Sequence, residues 1–153
     1  AMEINNRWGY IDRLERIVIQ PQFDWAGSFS DGRAFFGQDG KTGVLDQDGN
    51  ILIEPIHEEI TINSSGLYIV NTNNKYGLLN TNGAAVIHPR YELLELLPSG
   101  EMIAKRRNRY SIINNQGVTI TSKRFLMIAF DKKSGSLSFK QPAPMAKTVY
   151  RFN

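Results

Sequence analysis

Apolar residues along this chain come in short runs, mostly β-branched or aromatic, closed off by Gly, Asp, Asn or Pro. That pattern predicts strands and tight turns, because an amphipathic helix would space its apolar residues three and four apart and favour Ala and Leu. One set of runs is Tyr10-Ile11, Val44-Leu45, Leu78-Leu79 and Ile112-Ile113. A second is Ile17-Val18-Ile19, Ile51-Leu52-Ile53, Ala85-Val86-Ile87 and Val118-Thr119-Ile120. Between them lie Asp48-Gly49 and Asn82-Gly83, residue pairs that tolerate positive φ in tight turns, so each pair of runs predicts a hairpin.

The runs recur every 34 residues. Pro21, Pro55 and Pro89 keep that step, as do Gly9, Gly43 and Gly77, then Gly32, Gly66 and Gly100, and Gly49, Gly83 and Gly117. Basic residues Arg7, Lys41, Lys75 and Arg109 open four units, 7–40, 41–74, 75–108 and 109–142. The second half of each unit alternates more weakly, as in Ile60 and Ile62, Leu94 and Leu96, or Ile128 and Phe130, which predicts a third strand. A fourth follows in Ala34-Phe35-Phe36, Tyr68-Ile69-Val70 and Met102-Ile103-Ala104, with turns at Asp39-Gly40 and Asn73-Asn74. The column proline, lacking an N–H, is expected to end the second strand and turn the chain between two hairpins. The architecture predicted is an all-β tandem array of about four 34-residue β-hairpin units, propeller-like or an open twisted ribbon.

The last unit departs from its predecessors. Ser111 replaces the column glycine, Lys123 replaces the column proline, and the final glycine slips to Gly135, as expected of a capping unit. Beyond it, residues 143–153 form a C-terminal segment in which Thr148-Val149-Tyr150-Arg151-Phe152 is a candidate closing strand. A chain of 153 residues suits one domain, here 7–142, with a core of its own. There is no Cys, which removes disulfides, thiol catalysis and cysteine zinc sites. No apolar run approaches the roughly 18 residues of a membrane span, and the start has no leader-like apolar stretch. A cytoplasmic location is therefore expected.

Trp8-Gly9-Tyr10-Ile11-Asp12, then Ile17-Val18-Ile19-Gln20-Pro21-Gln22-Phe23-Asp24 and Phe29-Ser30-Asp31-Gly32-Arg33-Ala34, resembles the bacterial WG repeat, also written KWG. Later units keep the frame as Lys41-Thr42-Gly43-Val44-Leu45-Asp46 and Lys75-Tyr76-Gly77-Leu78-Leu79-Asn80. They depart where Thr42 and Tyr76 replace the tryptophan and Glu15 takes a turn-glycine column. The resemblance covers residues 7–108 well and 109–139 loosely. It implies an all-β tandem-repeat interaction scaffold and no particular reaction, since the motif consists of turn and core residues.

Catalytic chemistry finds little footing. His57 shares a column with the rings Phe23, Tyr91 and Phe125, which predicts a packed structural role, and His88 in the column of Gln20 and Glu54 predicts exposure. No serine sits in a nucleophile elbow. Gly40-Lys41-Thr42-Gly43 lacks the upstream glycine of a phosphate loop, since that position is Phe35. Asp46-Gln47-Asp48-Gly49-Asn50 starts like a calcium loop but has Ile51 and His57 where such a loop needs Gly and Glu. The acidic columns Asp12 and Asp46, and Asp24, Glu58 and Glu92, recur once per unit, which marks structural placement. No enzyme, no cofactor and no metal site are expected.

Charge is distributed unevenly. Residues 1–100 carry seven Lys/Arg and 13 Asp/Glu, a net of −6, whereas 101–153 carry 11 and two, a net of +9. Lys105, Arg106, Arg107 and Arg109, with Lys123, Arg124, Lys132 and Lys133, make a candidate basic patch. Trp25 is a candidate aromatic anchor, because its column also holds Glu59, Leu93 and Met127 and so is not uniformly core-like. The expected function is a non-catalytic protein-binding module, in a narrower version an immunity-type inhibitor of a bacterial toxin. The alternative is nucleic-acid or other polyanion binding through the basic patch.

Overall fold

The computed structural model describes residues 1–63, 65–121 and 125–141. Among these residues there is no helix, and sixteen strands form five antiparallel sheets in chain order. The first sheet is β1 (Met2–Ile4), β2 (Arg7–Ile11) and β3 (Ile17–Phe23). The second is β4 (Trp25–Ala26), β5 (Arg33–Gln38), β6 (Lys41–Asp46) and β7 (Ile51–His57), and the third β8 (Glu59–Ile62), β9 (Tyr68–Thr72), β10 (Lys75–Leu79) and β11 (Ala85–Tyr91). The fourth is β12 (Leu93–Leu96), β13 (Met102–Arg106) and β14 (Arg109–Ile113). The fifth is β15 (Met127–Asp131) with β16 (Ser136–Lys140). The all-β repeat array predicted from the sequence is what forms, and no sheet closes into a barrel.

Each 34-residue period is divided between two sheets. The second half of one unit pairs with the first half of the next, so the two-residue loops Asn5-Asn6, Asp39-Gly40, Asn73-Asn74 and Arg107-Asn108 join strands of a single sheet. Both residues of each loop have positive φ, the backbone of a hairpin turn whose twist matches its strands. The chain changes sheet through one bend residue, Asp24, Glu58, Glu92 or Leu126, placed right after the column of Phe23, His57, Tyr91 and Phe125.

The proline column does not make this corner, contrary to expectation. Pro21, Pro55 and Pro89 lie inside β3, β7 and β11, and the strands run on to Phe23, His57 and Tyr91. They are edge strands, where a missing N–H leaves no ladder bond unmade on the open side. At each proline the ladder bulges, as between the pairs Trp8–Phe23 and Tyr10–Ile19. The bulge presses on the facing strand: a Cβ on Gly9 would lie 2.4 Å from Ile19 O and 2.7 Å from Pro21 N, and one on Gly77 would lie 2.8 Å from Pro89 N. At Gly9 and Gly77 the column glycine and proline are two halves of one contact, and at Gly43 the crowding backbone atom is Ile53 O.

Four apolar clusters lie between successive sheets. Tyr10, Ile19 and Phe23 meet Phe36 and Leu45; Val44 and Ile53 meet Tyr68, Val70 and Leu79. Leu78 and Ile87 meet Met102 and Ile113, while Ile103 and Ile112 meet Phe125 and Ile128. Adjacent residues in a strand point to opposite faces, so Val44 and Leu45, Leu78 and Leu79, and Ile112 and Ile113 each serve two clusters. This double burial explains why these three central-strand pairs are apolar at both positions, whereas the second set of runs, which includes Ile17, Val18 and Ile51, is partly exposed.

The acidic column at the other turn of each hairpin is structural. Asp46 Oδ1 accepts the backbone N–H of Asp48 at 3.0 Å and of Asn50 at 2.8 Å, and Asp12, Asn80 and Asn114 repeat the pattern in their units. The side-chain bond from Asn50, with these N–H groups, holds the Asp46 carboxyl below its usual pKa. What resembled the start of a calcium loop is thus a turn whose carboxylate is occupied by its own backbone.

Candidate functional site

The tight turns are held by the carboxylates of the bend residues. Asp24 accepts the N–H of Asp39 at 2.7 Å, Glu58 that of Asn73 at 3.0 Å, and Glu92 that of Arg107 at 2.8 Å. The same carboxylates neutralise a basic side chain. Asp24 pairs with Arg7, Glu58 with Lys41 at 2.5 Å, and Glu92 with Lys105 at 3.9 Å. The Lys41 ammonium, the largest influence on it, lowers the pKa of Glu58. In the first two units acid, opening base and turn form one cap; in the third, Glu92 holds the turn but pairs with Lys105, and the exposed column base Lys75 is in no ion pair among the described residues.

In the fourth unit the cap is broken. The bend residue is Leu126, so Arg109, in the column of Arg7 and Lys41, has no carboxylate where its predecessors do. Arg109 Nη1 is buried and has no hydrogen-bond partner among the described residues. Beside it is a cavity of about 260 Å³ lined by Arg90, Tyr91, Arg106, Arg107, Arg109, Ser111, Gly117 and Thr119. Arg90 is steadied there by its own neighbour, with its guanidinium 5.3 Å from the centre of the Tyr91 ring. Arg106 and Arg107 are exposed and Arg109 is half-buried. None of these four arginines is in an ion pair among the described residues. Ser111 and Thr119 contribute hydroxyls that can donate or accept.

Arg107 also carries a backbone cost. Its φ is +50°, in a turn position that the earlier units give to Asn5, Asp39 and Asn73, residues suited to the left-handed region. A long side chain there costs about 1–2 kcal/mol. The fourth ladder nevertheless keeps the repeat register, with Tyr110 opposite Phe125 and Ile113 opposite Thr119, as Thr42 is opposite His57 and Leu45 opposite Ile51.

The basic residues singled out in the sequence separate into groups. Arg106, Arg107 and Arg109 gather at the cavity, and Arg90, which the sequence reading passed over, joins them. Lys105 points elsewhere, to Glu92 and to the Tyr110 ring, 5.6 Å from its centre. Lys132 and Lys133 are on the turn between β15 and β16, where Lys132 lies beside Leu96, Leu97, Pro98 and Phe130. That turn neighbours the start of β13, whereas Arg106 ends it, about 13 Å of strand away. Lys123 and Arg124 lie outside the described residues, as does the candidate strand 148–152. The overlooked signal was Leu126 in the column of Asp24, Glu58 and Glu92.

Trp25 is 43% exposed and covers Gly37, its cross-strand partner; a Cβ on Gly37 would lie 1.8 Å from Trp25 Nε1. His57 is buried, with Nδ1 2.6 Å from Thr72 Oγ1, and burial lowers its pKa below 6.5. His88 is exposed on β11. Gly40 supplies positive φ to a turn, and Lys41 is engaged by Glu58.

A chain built from stacked hairpins of this period, with glycine pressed against a proline bulge, belongs to the tandem β-repeat class. The family model described as WG containing repeat matches residues 8–41 and 43–76, so the chain carries two adjacent WG repeats. A comparison with curated proteins finds no match. Among solved structures, the chain is similar to a protein of unknown function from Bacteroides caccae, at 14% identity and a TM-score of 0.35. That match covers 81% of this chain and 57% of the length of the other. Among the described residues, no helix is long and apolar enough to cross a membrane.

Proposed function

We propose that this chain is a non-catalytic binding module that docks an acidic protein surface through the arginine-lined turn of its fourth sheet. The observation that carries this reading is the contrast between neutralised caps at Asp24 and Glu58 and the four arginines at the cavity, whose guanidinium groups are in no ion pair among the described residues. Exposed Arg106 and Arg107 can steer an acidic partner from a distance and make forked hydrogen bonds on contact. The burial of His57 against Thr72 and the use of Asp46 by its own turn support the non-catalytic part, since both side chains have structural work. In its narrower form the reading is of an immunity-type inhibitor that covers the active site of a bacterial toxin, supported only by the polarised charge of the chain.

Affinity capture at low and moderate salt, with Arg106→Ala/Arg107→Ala run beside the unchanged chain, tests the proposal. Acidic proteins should be held by the unchanged chain and lost with the double variant. Equal capture by both would overturn it. A mobility shift of nucleic acid that fades steeply with salt and vanishes in the double variant would favour the polyanion alternative instead.

A further inference from the structure

Three departures from the repeat lie at or beside the turn between the third and fourth units. Leu126 withdraws the carboxylate, Ser111 adds a hydroxyl where a glycine recurs, and Arg107 occupies a strained turn position. All but Leu126 line the cavity that also receives Arg90, Arg106 and Arg109. Of the other departures, Gly135 lies on the β15–β16 turn and Lys123 outside the described residues, so what marks the site is four arginines and two hydroxyls around one cavity. Its volume of about 260 Å³ exceeds the roughly 30 Å³ share of one water and falls just short of the ~300 Å³ at which organic-ligand pockets begin, which suits a small ion or the end of a larger ligand.

We propose that this cavity binds a phosphate group, with Arg109 as the central ligand, Arg90, Arg106 and Arg107 around it, and the Ser111 and Thr119 hydroxyls completing a polar wall. The chemistry of the donor set selects the ligand. Guanidinium groups present planar forks of N–H donors that match two oxygens of a phosphate at once, and the bonds are charge-assisted. Arg109 lines the cavity, and its guanidinium is not held elsewhere, since the buried Nη1 has no hydrogen-bond partner among the described residues. Four guanidinium charges with no acid among the described lining residues favour a dianion over a carboxylate. A phosphomonoester offers the same dianionic group as free phosphate and can enter the cavity by its end. The site needs no protein partner, so it stands or falls apart from the docking reading.

Isothermal titration calorimetry of the full chain, at constant ionic strength, tests it with three probes: inorganic phosphate, phenyl phosphate and acetate. Expected is saturable binding of one phosphate per chain, with a Kd below about 1 mM, and acetate at least about tenfold weaker. Equal affinity for phenyl phosphate assigns the site to the phosphate end of a larger ligand; binding of phosphate alone assigns it to the free ion. Arg109→Gln should weaken binding at least about tenfold. Leu126→Glu, at an exposed position, should do the same by restoring the missing carboxylate, and Lys133→Gln should leave binding unchanged. No saturation up to about 20 mM phosphate, or unchanged affinity in both folded variants, would overturn the proposal. Acidic-protein capture that persists without phosphate binding would sink this inference alone, leaving the docking reading intact.

Discussion

The hairpin of the second unit and that of the fourth share a register and differ in nearly every polar side chain around their turns. In the second, Asp39-Gly40 makes the turn, Lys41 is neutralised by Glu58, and Gly43 lies under the bulge beside Pro55. In the fourth, Arg107-Asn108 makes the turn, Arg109 has Leu126 in place of the acid, and Ser111 stands in the glycine column. The ladder is therefore specified by backbone pairing and by apolar residues such as Val44 and Ile112, which both hairpins keep. The polar cap is a separate layer, and it can be removed without moving a strand. Removing it at Leu126 leaves an unmet guanidinium nitrogen on Arg109, which is unfavourable unless a partner reaches it.

The largest effect should come from making the early units resemble the fourth. Gly77→Ser adds a Cβ within 2.8 Å of the Pro89 nitrogen and 2.7 Å of Ile87 O, both backbone, so the edge strand must shift. A loss of about 3 kcal/mol is expected in urea unfolding, against a change within about 1 kcal/mol for Ser111→Gly. Equal effects at the two positions would mean that the glycine–proline contact does not distinguish the units. The reverse conversion, Leu126→Glu, should leave the urea midpoint near that of the unchanged chain while abolishing the charge contrast at Arg109. Phosphate affinity should then fall about tenfold, an effect of about 1.4 kcal/mol.

The period, the hairpins and the positive-φ turn glycines were legible because each is written in residue types that few other conformations want. Gly49 and Gly83 are at +85° and +79°, as their columns implied. The position of the corner was not legible. Proline stops a ladder only where its N–H would have paired, and the sequence does not say that β3, β7 and β11 are edges. The bend instead falls on Asp24, Glu58 and Glu92, polar residues that read equally well as strand. The candidate site was half visible: clustered charge marked Arg106, Arg107 and Arg109, but spacing alone could not tell that Arg90 joins them across the sheet boundary and that Lys132 and Lys133 do not.

A smaller effect tests the first unit against the rest. Glu15 occupies the column of Gly49, Gly83 and Gly117 with φ at +59°. The glycines of that column are crowded by the preceding unit, as where a Cβ on Gly83 would lie 1.9 Å from Leu52 O, while Glu15 is exposed. Its cost is thus backbone strain without a clash. Glu15→Gly should raise stability by about 1 kcal/mol or less, the relief being partly offset by the added freedom of the unfolded chain. Thermal unfolding measures it, and a lower Tm would show that the Glu15 side chain contributes more than its backbone costs.

The smallest effect concerns the ring column, where the second unit alone has a group that titrates near neutral pH. Phe23, Tyr91 and Phe125 fill the position with hydrocarbon or phenol, and His57 fills it with a buried imidazole bonded to Thr72. Desolvation by burial is the main cause of its lowered pKa; Glu58 opposes the shift and Lys41 adds to it. Since the folded pKa is depressed, the folded state holds fewer protons than the unfolded one between the two values. The stabilisation is complete above about pH 6.5 and is lost as pH falls through the folded value. Asp12, Asp46, Glu58 and Asp131, also depressed, act in the same direction but only below about pH 4.5, so they leave this window to the histidine. His57→Phe should flatten the fall in Tm between pH 7 and about pH 5, by under about 1 kcal/mol, with Thr72 losing a bond it can replace with water. An unchanged pH slope in the variant would mean that folding does not shift the titration of His57, and so that its burial against Thr72 does not penalise the charged ring.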